Sequence, residues 1–494
     1  MNFTPLNYWV LASYLLAMLT IGIRFAGRQR TTEDFFLAGR RLPWLPVAMS
    51  LYASVTSANT YLGLPGMAYR VNTALIMVSL MSPLVAPALI YLFYPFYRRW
   101  NVTTSYEYAE LRFGRPARYA VSGLFLLARI GWLGMVVYAP ALALSAVTGL
   151  PLWTSIVLMG LLSTAYTMLG GLSAVVWTDV AQFVIMIGGA LALAVLIPRD
   201  VPGGVAAVWR SAREAGKLAG FDLTWNVAEM TGLAVAVSYF FYLMQEYGVD
   251  QVSVQRLLSV RTRRGLVGAI LFNAATDVAI IGTLSFIGIG LFAWAAAHPG
   301  VIPAGLKGDQ VLPWFIVHRF PDGLSGLLIT AIFAAAMSSV DSGINSVSSV
   351  IVNDFIRPRR RPGSEAFGLR LARGLTVALG VFATGMAFWA TRIGGIVKAF
   401  LTIMGLFSAP VLALFLLGML NRRARFSAWA VGAALAFGLT LAARHSEAMD
   451  EIFFFPFSFS VTYTVGWLLS QRGPATPVRP GLTIWDRDAA PRAE

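Results

Sequence analysis

Cysteine is absent from this 494-residue sequence, and histidine occurs only three times. Without cysteine the chain has no disulfides, thiolate metal sites or cysteine nucleophiles. Charged residues are also scarce, at 12% of the chain, which is about half the share found in soluble globular proteins. So few charges do not cover a water-exposed surface of this size. The shortage excludes a water-soluble enzyme, a nucleic-acid-binding module and a disordered scaffold.

Long hydrophobic runs take the place of the missing charges, because hydrophobic residues make up 57% of the chain. A helix needs about 20 apolar residues to cross a hydrocarbon layer of roughly 30 Å. The sequence contains about thirteen such runs and predicts an all-α polytopic membrane protein. The runs are 7–26, 43–69, 73–97, 117–148, 152–170, 175–197, 228–247, 266–294, 323–353, 371–390, 394–419, 426–443 and 452–470.

Basic residues give the predicted orientation. The arginine runs fall in loops on one side of the predicted topology, at 28–41, 98–118, 256–264, 357–361 and 422–425. Because arginine-rich loops face the cytoplasm, we predict an outer N-terminus and a cytoplasmic C-terminus. We therefore take membrane lipid, and not nucleic acid, as the partner of the +15 net charge. The excess of arginine over lysine favours a GC-rich genome and a bacterial inner membrane as the plasma membrane concerned.

The run 50–66 does not have the composition of a lipid-facing helix. It reads SLYASVTSANTYLGLPG, with several hydroxyls and a cluster of Gly63, Pro65 and Gly66 in mid-span. Irregular backbone at membrane depth survives only where protein buries it or where it lines a cavity. The pattern predicts a broken helix whose free carbonyls are ligands for a small cation. The alternative is a kinked helix packed through its small residues.

A second polar span lies at 331–354. Its polar side chains recur at steps of three and four, which places them on one helix face. They are Ser338, Asp341, Ser342, Asn345, Ser346 and Ser349. A carboxylate inside a membrane costs roughly 2.5–3.5 kcal/mol on insertion scales, so small-residue packing alone does not account for Asp341. Hydroxyls with one carboxylate suit a hard monovalent cation better than a transition metal.

The depths of these groups agree. Residues 53–56 and Ser338 reach the bilayer midplane, where secondary transporters bind substrate and coupling ion. Asp341, Ser342 and Asp179 fall about one helical turn nearer the cytoplasm. Polar groups at matching depth on different spans predict an ion site.

Four further charges fall in or near the spans. Arg129 and Asp277 lie at mid-membrane depth, where we favour a structural ion pair or a water-lined cavity over contact with substrate. Glu246 and Asp250 lie near an inner boundary, and we expect them to be solvated.

Four stretches resemble the sodium:solute symporter family, which includes carriers of proline, sugars, sialic acid, monocarboxylates and iodide. They are RTTEDFFLAGR (30–40), GGLSAVVWTDVAQ (170–182), DQVSVQR (250–256) and the run 331–354. The resemblance implies a leucine-transporter-type core of five plus five helices in inverted repeat. It divides the chain into an extra N-terminal helix with a cytoplasmic loop (1–42), a first repeat (43–197), an outer loop (198–227), a second repeat (228–419), two extra C-terminal helices (420–470) and a cytoplasmic tail (471–494).

The resemblance also implies ion sites. The main sodium site uses three backbone carbonyls and two hydroxyls, which belong to Ala53, Thr56, Ala335, Ser338 and Ser339. A second sodium site, present in some members, combines two carboxylates and two hydroxyls, which belong to Asp179, Asp341, Ser338 and Ser342. Asp341 stands where the two-sodium sialic-acid carriers have serine. Its carboxylate either strengthens this site or, when protonated, weakens it.

The implied solute pocket lies beside the first core helix, at Val55, Ser57, Thr60, Ser79 and Trp132. Trp132 stands where the sialic-acid carriers have an arginine for the sugar carboxylate, which argues against sialic acid itself. The run 133–149 is more similar to the monocarboxylate, vitamin and iodide branch. The expected solute is a small molecule, either monocarboxylate-like, a vitamin or a sugar.

The resemblance implies uptake of a small organic solute driven by Na⁺, with a monomer sufficient. A proton-coupled carrier with Asp179 or Asp341 as proton site is the nearest alternative, and a sodium-gated channel or sensor is another. We do not expect an enzyme, because the sequence offers neither a nucleophile–base pair nor a metal cluster. The histidines, His298, His318 and His445, fall in outer loops or at span ends.

Overall fold

The computed structural model describes residues 3–218, 220, 222–227, 229–303, 305–356, 365–390, 396–472 and 479–486. These residues form helices without a strand, and an isolated parallel bridge joins Leu42 to Val260. The α-helices are α1 (Pro5–Phe25), α2 (Thr32–Leu37), α3 (Trp44–Val55), α4 (Ala58–Arg70), α5 (Met77–Ala88), α6 (Tyr94–Arg99), α7 (Glu107–Phe113), α8 (Arg115–Thr148), α9 (Leu152–Arg199), α10 (Gly204–Glu214), α11 (Gly232–Gly248), α12 (Gln251–Ser259), α13 (Arg263–Ala297), α14 (Gly308–Arg319), α15 (Leu324–Val350), α16 (Glu365–Ala390), α17 (Ile396–Ile403), α18 (Ala409–Leu420), α19 (Phe426–His445) and α20 (Phe454–Gln471). A π-helical turn, Ile351–Ile356, extends α15.

Ten helical segments of the described chain are long and apolar enough to cross a membrane. Two parts of the predicted topology are organised differently. The run 43–69 is divided between α3 and α4, and the run 228–247 forms the 17-residue α11. The runs 152–170 and 175–197 both fall within α9, but the non-helical Gly171 lies between them. The number of spans therefore stays a prediction.

Two connections between predicted spans contain helices, and one of them is the expected outer loop 198–227. α10 lies within 198–227 and packs against α13, with Val208 and Ala212 buried one turn apart. α14 lies within 295–322 and packs against α4. α10 is amphipathic and covers apolar surface with one face, whereas α14 buries apolar residues such as Leu312 and Phe315.

Parts of the predicted cytoplasmic surface lie outside the described residues, namely the arginine run 357–361 and most of the tail 471–494. The described part of the tail contacts the bundle. The hydroxyl of Tyr108 donates to the carbonyl of Leu482 at 2.8 Å, and Arg422 pairs with Asp486 at 2.7 Å. This segment therefore packs beside α7 and α18.

α15 is the enclosed centre of the bundle. In its most apolar membrane-length window, 94% of the residues are buried, and it packs against α1, α3, α4, α8, α9, α12 and α16. Small side chains permit this closeness: a Cβ placed on Gly189 of α9 would lie only 2.8 Å from the Cβ of Ala331. The polar face of α15 therefore meets protein and not lipid.

α9 changes direction at Gly171. A straight helix of 48 residues would be about 72 Å long, more than twice the hydrocarbon thickness. Gly171 has φ 56° and ψ −155°, a conformation that is essentially restricted to glycine. The break falls between the runs 152–170 and 175–197.

We predict that Gly171→Ala destabilises the protein. A Cβ at this position would lie 2.6 Å from the carbonyl oxygen of Phe35, and the backbone strain alone costs about 1–3 kcal/mol. The melting temperature of the purified protein in detergent should fall by several degrees. Gly188→Ala is the matched control on the same helix, because a Cβ added at Gly188 would have no atom within 4 Å. Equal melting temperatures for the two variants would contradict the prediction.

Candidate ion and solute-binding site

The break between α3 and α4 is the first part of the site. α3 ends at Val55 and α4 begins at Ala58, and Thr56 between them has φ −83° and ψ 91°. The last carbonyls of α3 therefore lack the partners that a continuing helix would supply. The local sequence favours this break, because Ser54 Oγ bonds to the carbonyl of Ser50 at 2.6 Å and competes with the helical pattern.

Two hydroxyls of α15 meet these carbonyls. Ser338 Oγ donates to the carbonyl oxygen of Ala53 at 2.7 Å and lies 3.2 Å from that of Ala335. Ser339 Oγ lies 3.0 Å from the carbonyl oxygen of Ser54 and 3.3 Å from that of Ala335. All of these residues are buried. The structure thus brings together four of the five residues expected at the main sodium site.

Thr56, the fifth residue, lies in the extended link and lines the adjacent cavity. No group of three or more His, Cys, Asp or Glu side chains able to hold a metal ion occurs in the described part of the chain. The atoms around Ser338 that could bind an ion are carbonyl and hydroxyl oxygens. Hard, neutral oxygen ligands of this kind suit an alkali cation.

Asp179 belongs to a second cluster of polar side chains, which lies about one helical turn from the carbonyls and hydroxyls around Ser338. Its Oδ2 accepts hydrogen bonds from Ser50 Oγ at 2.5 Å and from Ser54 Oγ at 3.3 Å. Arg256 forms an ion pair with the same oxygen at 3.2 Å. The guanidinium also donates to Ser342 Oγ, which lies 3.0 Å from Ser54 Oγ. Ser54 therefore joins this group to the carbonyl group at the end of α3, because its hydroxyl contacts Asp179 and its carbonyl contacts Ser339.

Asp341 completes this group. Tyr166 donates its hydroxyl to Asp341 Oδ2 at 2.7 Å, and Ser342 Oγ lies 3.0 Å from Oδ1. The structure thus links Asp179, Asp341 and Ser342, while Ser338 belongs to the neighbouring carbonyl group. Two carboxyl groups and one guanidinium would give this buried group one net negative charge when both carboxyl groups are ionised.

Sequence reasoning missed Arg256 and Tyr166. We expected Arg256 to be a cytoplasmic loop charge, but the structure buries it completely in α12. A buried carboxylate in a membrane span requires a partner, so Asp179 was the signal that a nearby arginine would be drawn inward. Tyr166 carried no such signal, because tyrosines are common in membrane spans.

A cavity of about 740 Å³ adjoins the break. Four of the five residues expected in the solute pocket line it: Val55, Ser57, Thr60 and Trp132. Ser79 is not among the lining residues, and its hydroxyl bonds to the carbonyl of Ile76 in the preceding turn at 2.7 Å. The cavity extends to the end of the bundle that carries α14, so the pocket is open towards that side.

A charged cluster lies in the wall of this cavity. Arg129 contacts both carboxylate oxygens of Glu246 at 2.8 and 2.9 Å and pairs with Asp250 at 2.7 Å. The guanidinium also lies over the ring of Trp132, 4.8 Å from its centroid. The expectation that Glu246 and Asp250 are solvated is wrong, because both are buried. They turn inward because both pair with Arg129, and a structural ion pair is one of the two roles that we favoured for this arginine.

The model of the sodium:solute symporter family matches residues 35–433. This match covers most of the chain and includes both halves of the broken helix and all of α15.

The chain belongs to the sodium:solute symporter family.

Relatives and solved structures agree with this assignment. The sodium/sialic acid symporter SiaT of Proteus mirabilis is 33% identical over 460 residues, which are 92% of each chain. The sodium-coupled monocarboxylate transporter 2 of Bos taurus is 34% identical over 460 residues, covering 90% of this chain and 73% of that protein. A structure described as the substrate-bound outward-open state of a Na⁺-coupled sialic acid symporter superposes with a TM-score of 0.90. It is 30% identical and covers 96% of this chain and 100% of its own.

These findings confirm the expected class. This symporter is a multi-pass membrane protein with a leucine-transporter-type fold, and Na⁺ is its coupling ion. It carries a small-molecule solute and is not an enzyme.

We predict that Arg256→Gln strongly destabilises the symporter. The substitution leaves Asp179 buried without its counter-charge, and removal of one partner from a buried pair costs about 3–5 kcal/mol. The melting temperature in detergent should fall markedly, and Asp179→Asn in the same chain should restore much of the loss.

Arg319→Gln is the matched control. Arg319 pairs with Asp200 at 2.9 Å, but both side chains are well exposed, so the loss should stay below about 1 kcal/mol. A double variant at positions 256 and 179 that is less stable than Arg256→Gln alone would contradict the pairing argument.

Proposed function

We propose that this symporter imports a small organic carboxylate, driven by Na⁺ entering down its gradient through alternating access. The observation that supports this most directly is the contact of Ser338 and Ser339 with the broken end of α3. This contact lies beside a cavity large enough for a small solute. An ion held there would bind both to the wall of the solute pocket and to α15.

A carboxylate is favoured by the start of α4. The first N–H groups of a helix have no intrahelical partner and carry the positive end of its dipole. The side chain of Ser57, the N-cap of α4, makes no capping hydrogen bond, and Ser57, Asn59 and Thr60 line the cavity. Helix ends of this kind bind anionic substrate groups in transporters with broken helices. The names of the relatives, a sialic acid symporter and a monocarboxylate transporter, have an acidic solute in common.

The main Na⁺ ion would be held by the carbonyls of Ala53, Thr56 and Ala335 and by the hydroxyls of Ser338 and Ser339. Both hydroxyls would turn their hydrogens away and offer lone pairs to the cation. The ion would then hold the broken helix against α15 and shape the adjacent pocket. A Na⁺ ion entering at 100 mV, inside negative, contributes about 2.3 kcal/mol, and a tenfold gradient adds about 1.4 kcal/mol. For a solute without net charge, one ion thus sustains a gradient of roughly a few hundred-fold, whereas for a singly charged anion the two electrical contributions cancel and one ion sustains about a tenfold gradient.

The group at Asp179, Asp341 and Ser342 is the proposed second cation site, with Ser338 shared between the two sites. Its one net negative charge is the amount that a single further cation neutralises. We expect Asp341 to interact most strongly with this cation, because its hydrogen bonds come from the neutral hydroxyls of Tyr166 and Ser342.

The proposed placement has the N-terminus outside, the C-terminus in the cytoplasm, and the protein as a monomer in a bacterial inner membrane. The arginine runs support this orientation through the positive-inside rule. The cavity would then open outward, past α14. Since the chain has no cysteine, single introduced cysteines labelled with an impermeant reagent from either side test the orientation.

We predict that proteoliposomes accumulate a small monocarboxylate under an inward Na⁺ gradient and not under a proton gradient alone. Ser338→Ala should raise the Na⁺ concentration for half-maximal uptake about tenfold, because it removes one oxygen ligand. The measurement is initial uptake of labelled solute at a series of Na⁺ concentrations.

Ser346→Ala is the control for this substitution. Ser346 is equally buried on α15, but its hydroxyl bonds within its own helix, to the carbonyl of Gly343 at 3.0 Å. It should leave the Na⁺ dependence unchanged. Uptake driven equally well by protons would favour the proton-coupled carrier, and an unaltered Na⁺ dependence in Ser338→Ala would exclude the main site.

We predict that Asp341→Asn lowers the Hill coefficient for Na⁺ from about 2 towards 1. The substitution retains a hydrogen-bonding side chain for Tyr166 but removes the charge that the second ion would neutralise. Radioactive sodium and solute uptake in the same vesicles give the ratio directly. A ratio of one in the wild type, unchanged in Asp341→Asn, would mean that a single ion is coupled.

A further inference from the structure

Asp277 on α13 is a carboxylate that neither the proposed ion sites nor the charged cluster uses. It is 6% exposed and lines the solute cavity. Its Oδ2 accepts hydrogen bonds from Ser82 Oγ at 2.6 Å, Tyr247 Oη at 3.0 Å and Asn273 Nδ2 at 3.2 Å. These donors are neutral, so they orient the carboxylate without neutralising it.

No positively charged side chain among the described residues forms an ion pair with Asp277. Two arginines line the cavity. Arg129 is already shared between two carboxylates, and Arg70 bonds to the carbonyl of Leu306 at the rim. The other oxygen of Asp277, Oδ1, receives no hydrogen bond from the described chain. A charge buried in this way is normally paired.

Asn273, which donates its Nδ2 to Asp277, keeps its own Oδ1 buried without a hydrogen bond from the described residues. Asn273 is not among the residues that line the cavity, so Asp277 is the group that faces the solute. The cavity wall therefore presents a carboxylate whose Oδ1 has no donor, and an N–H cation can fill that position.

We propose that Asp277 binds a cationic amino group of the transported solute, which is therefore a zwitterionic amino acid or a close analogue. This inference rests on the proposed function, since the carboxylate of the same molecule is placed at the start of α4. The solute would bridge α4 and α13 across the cavity. A solute with both charges would enter as a neutral whole and leave the charge of the Na⁺ ions to drive transport.

The test uses pairs of acids that differ only in the amino group: alanine with propionate, and phenylalanine with 3-phenylpropionate. Binding to the purified full-length protein is measured by calorimetry in Na⁺. In the wild type, the amino acid should bind at least tenfold more tightly than the acid without the amino group, in whichever of the two pairs binds better. Asp277→Asn should reduce this preference to about threefold or less, while Asp277→Glu, which retains the charge, should preserve most of it.

Asp309→Asn is the matched control, because Asp309 also lines the cavity but is exposed at its mouth. It should leave the preference unchanged. A similar loss in Asp309→Asn would mean a general effect of negative charge and would overturn the assignment.

Two other outcomes would also overturn the inference. In one, the des-amino acids bind as tightly as their partners and Asp277→Asn changes nothing, while Na⁺-dependent carboxylate binding persists; the proposed function then stands without this site. In the other, Asp277→Asn keeps the amino preference but abolishes a proton dependence of uptake, and Asp277 is a proton site. If no acid of either type binds in Na⁺, the proposed function itself fails.

Discussion

The structure depends on the way in which the free carbonyls at the end of α3 are satisfied at membrane depth. Unpaired backbone groups are not tolerated in contact with lipid, so the break between Val55 and Ala58 requires polar partners from the protein. α15 supplies them through Ser338 and Ser339. The same requirement explains why α15 is buried on all sides and why its neighbours pack through small residues. An ion competes for oxygens that already hold two helices together, so its binding is coupled to their relative position.

Pairing of buried charges is the second constraint, and it is met locally. Arg129 pairs with Glu246 and Asp250, and Arg256 pairs with Asp179. Each cluster contains two carboxyl groups and one guanidinium group when Asp341 is counted with Asp179, so each has a surplus of negative charge when its carboxyl groups are ionised. A protein interior with surplus carboxylates at the depth of a cavity attracts cations from water. Cation entry therefore follows from the composition of the buried network as well as from the neutral oxygens at the main site.

The sequence alone predicted the features that depend on local composition. The membrane-length runs, the break within 50–66 and the polar face of 331–354 can all be recognised from hydropathy, propensity and helical periodicity. Pairings between distant segments left no such pattern. Arg256 and Asp250 lie next to basic loops in sequence, and only the folded chain shows that they are drawn inward to Asp179 and Arg129. Ser79 illustrates the opposite error, since the family resemblance implied that it lines the pocket while its hydroxyl bonds to the carbonyl of Ile76 in the preceding turn.

The two ends of the bundle differ, and this difference bears on how ion and solute are coupled. At the end opposite the cavity mouth, Arg118 contacts Asp354 at 2.6 Å and Glu110 at 2.6 Å. Asp354 is fully buried and also accepts from Thr104 at 2.7 Å and Ser122 at 2.6 Å. This network joins α7, α8 and the end of α15. Opening that end would separate these charged partners, so it has a free-energy cost. A bound ion or solute offsets that cost only to the extent that it binds one conformation more tightly than the other. Because Ser338 and Ser339 join α15 to the end of α3 beside the solute cavity, ion and solute would act on the same conformational equilibrium, and this shared equilibrium would couple their transport.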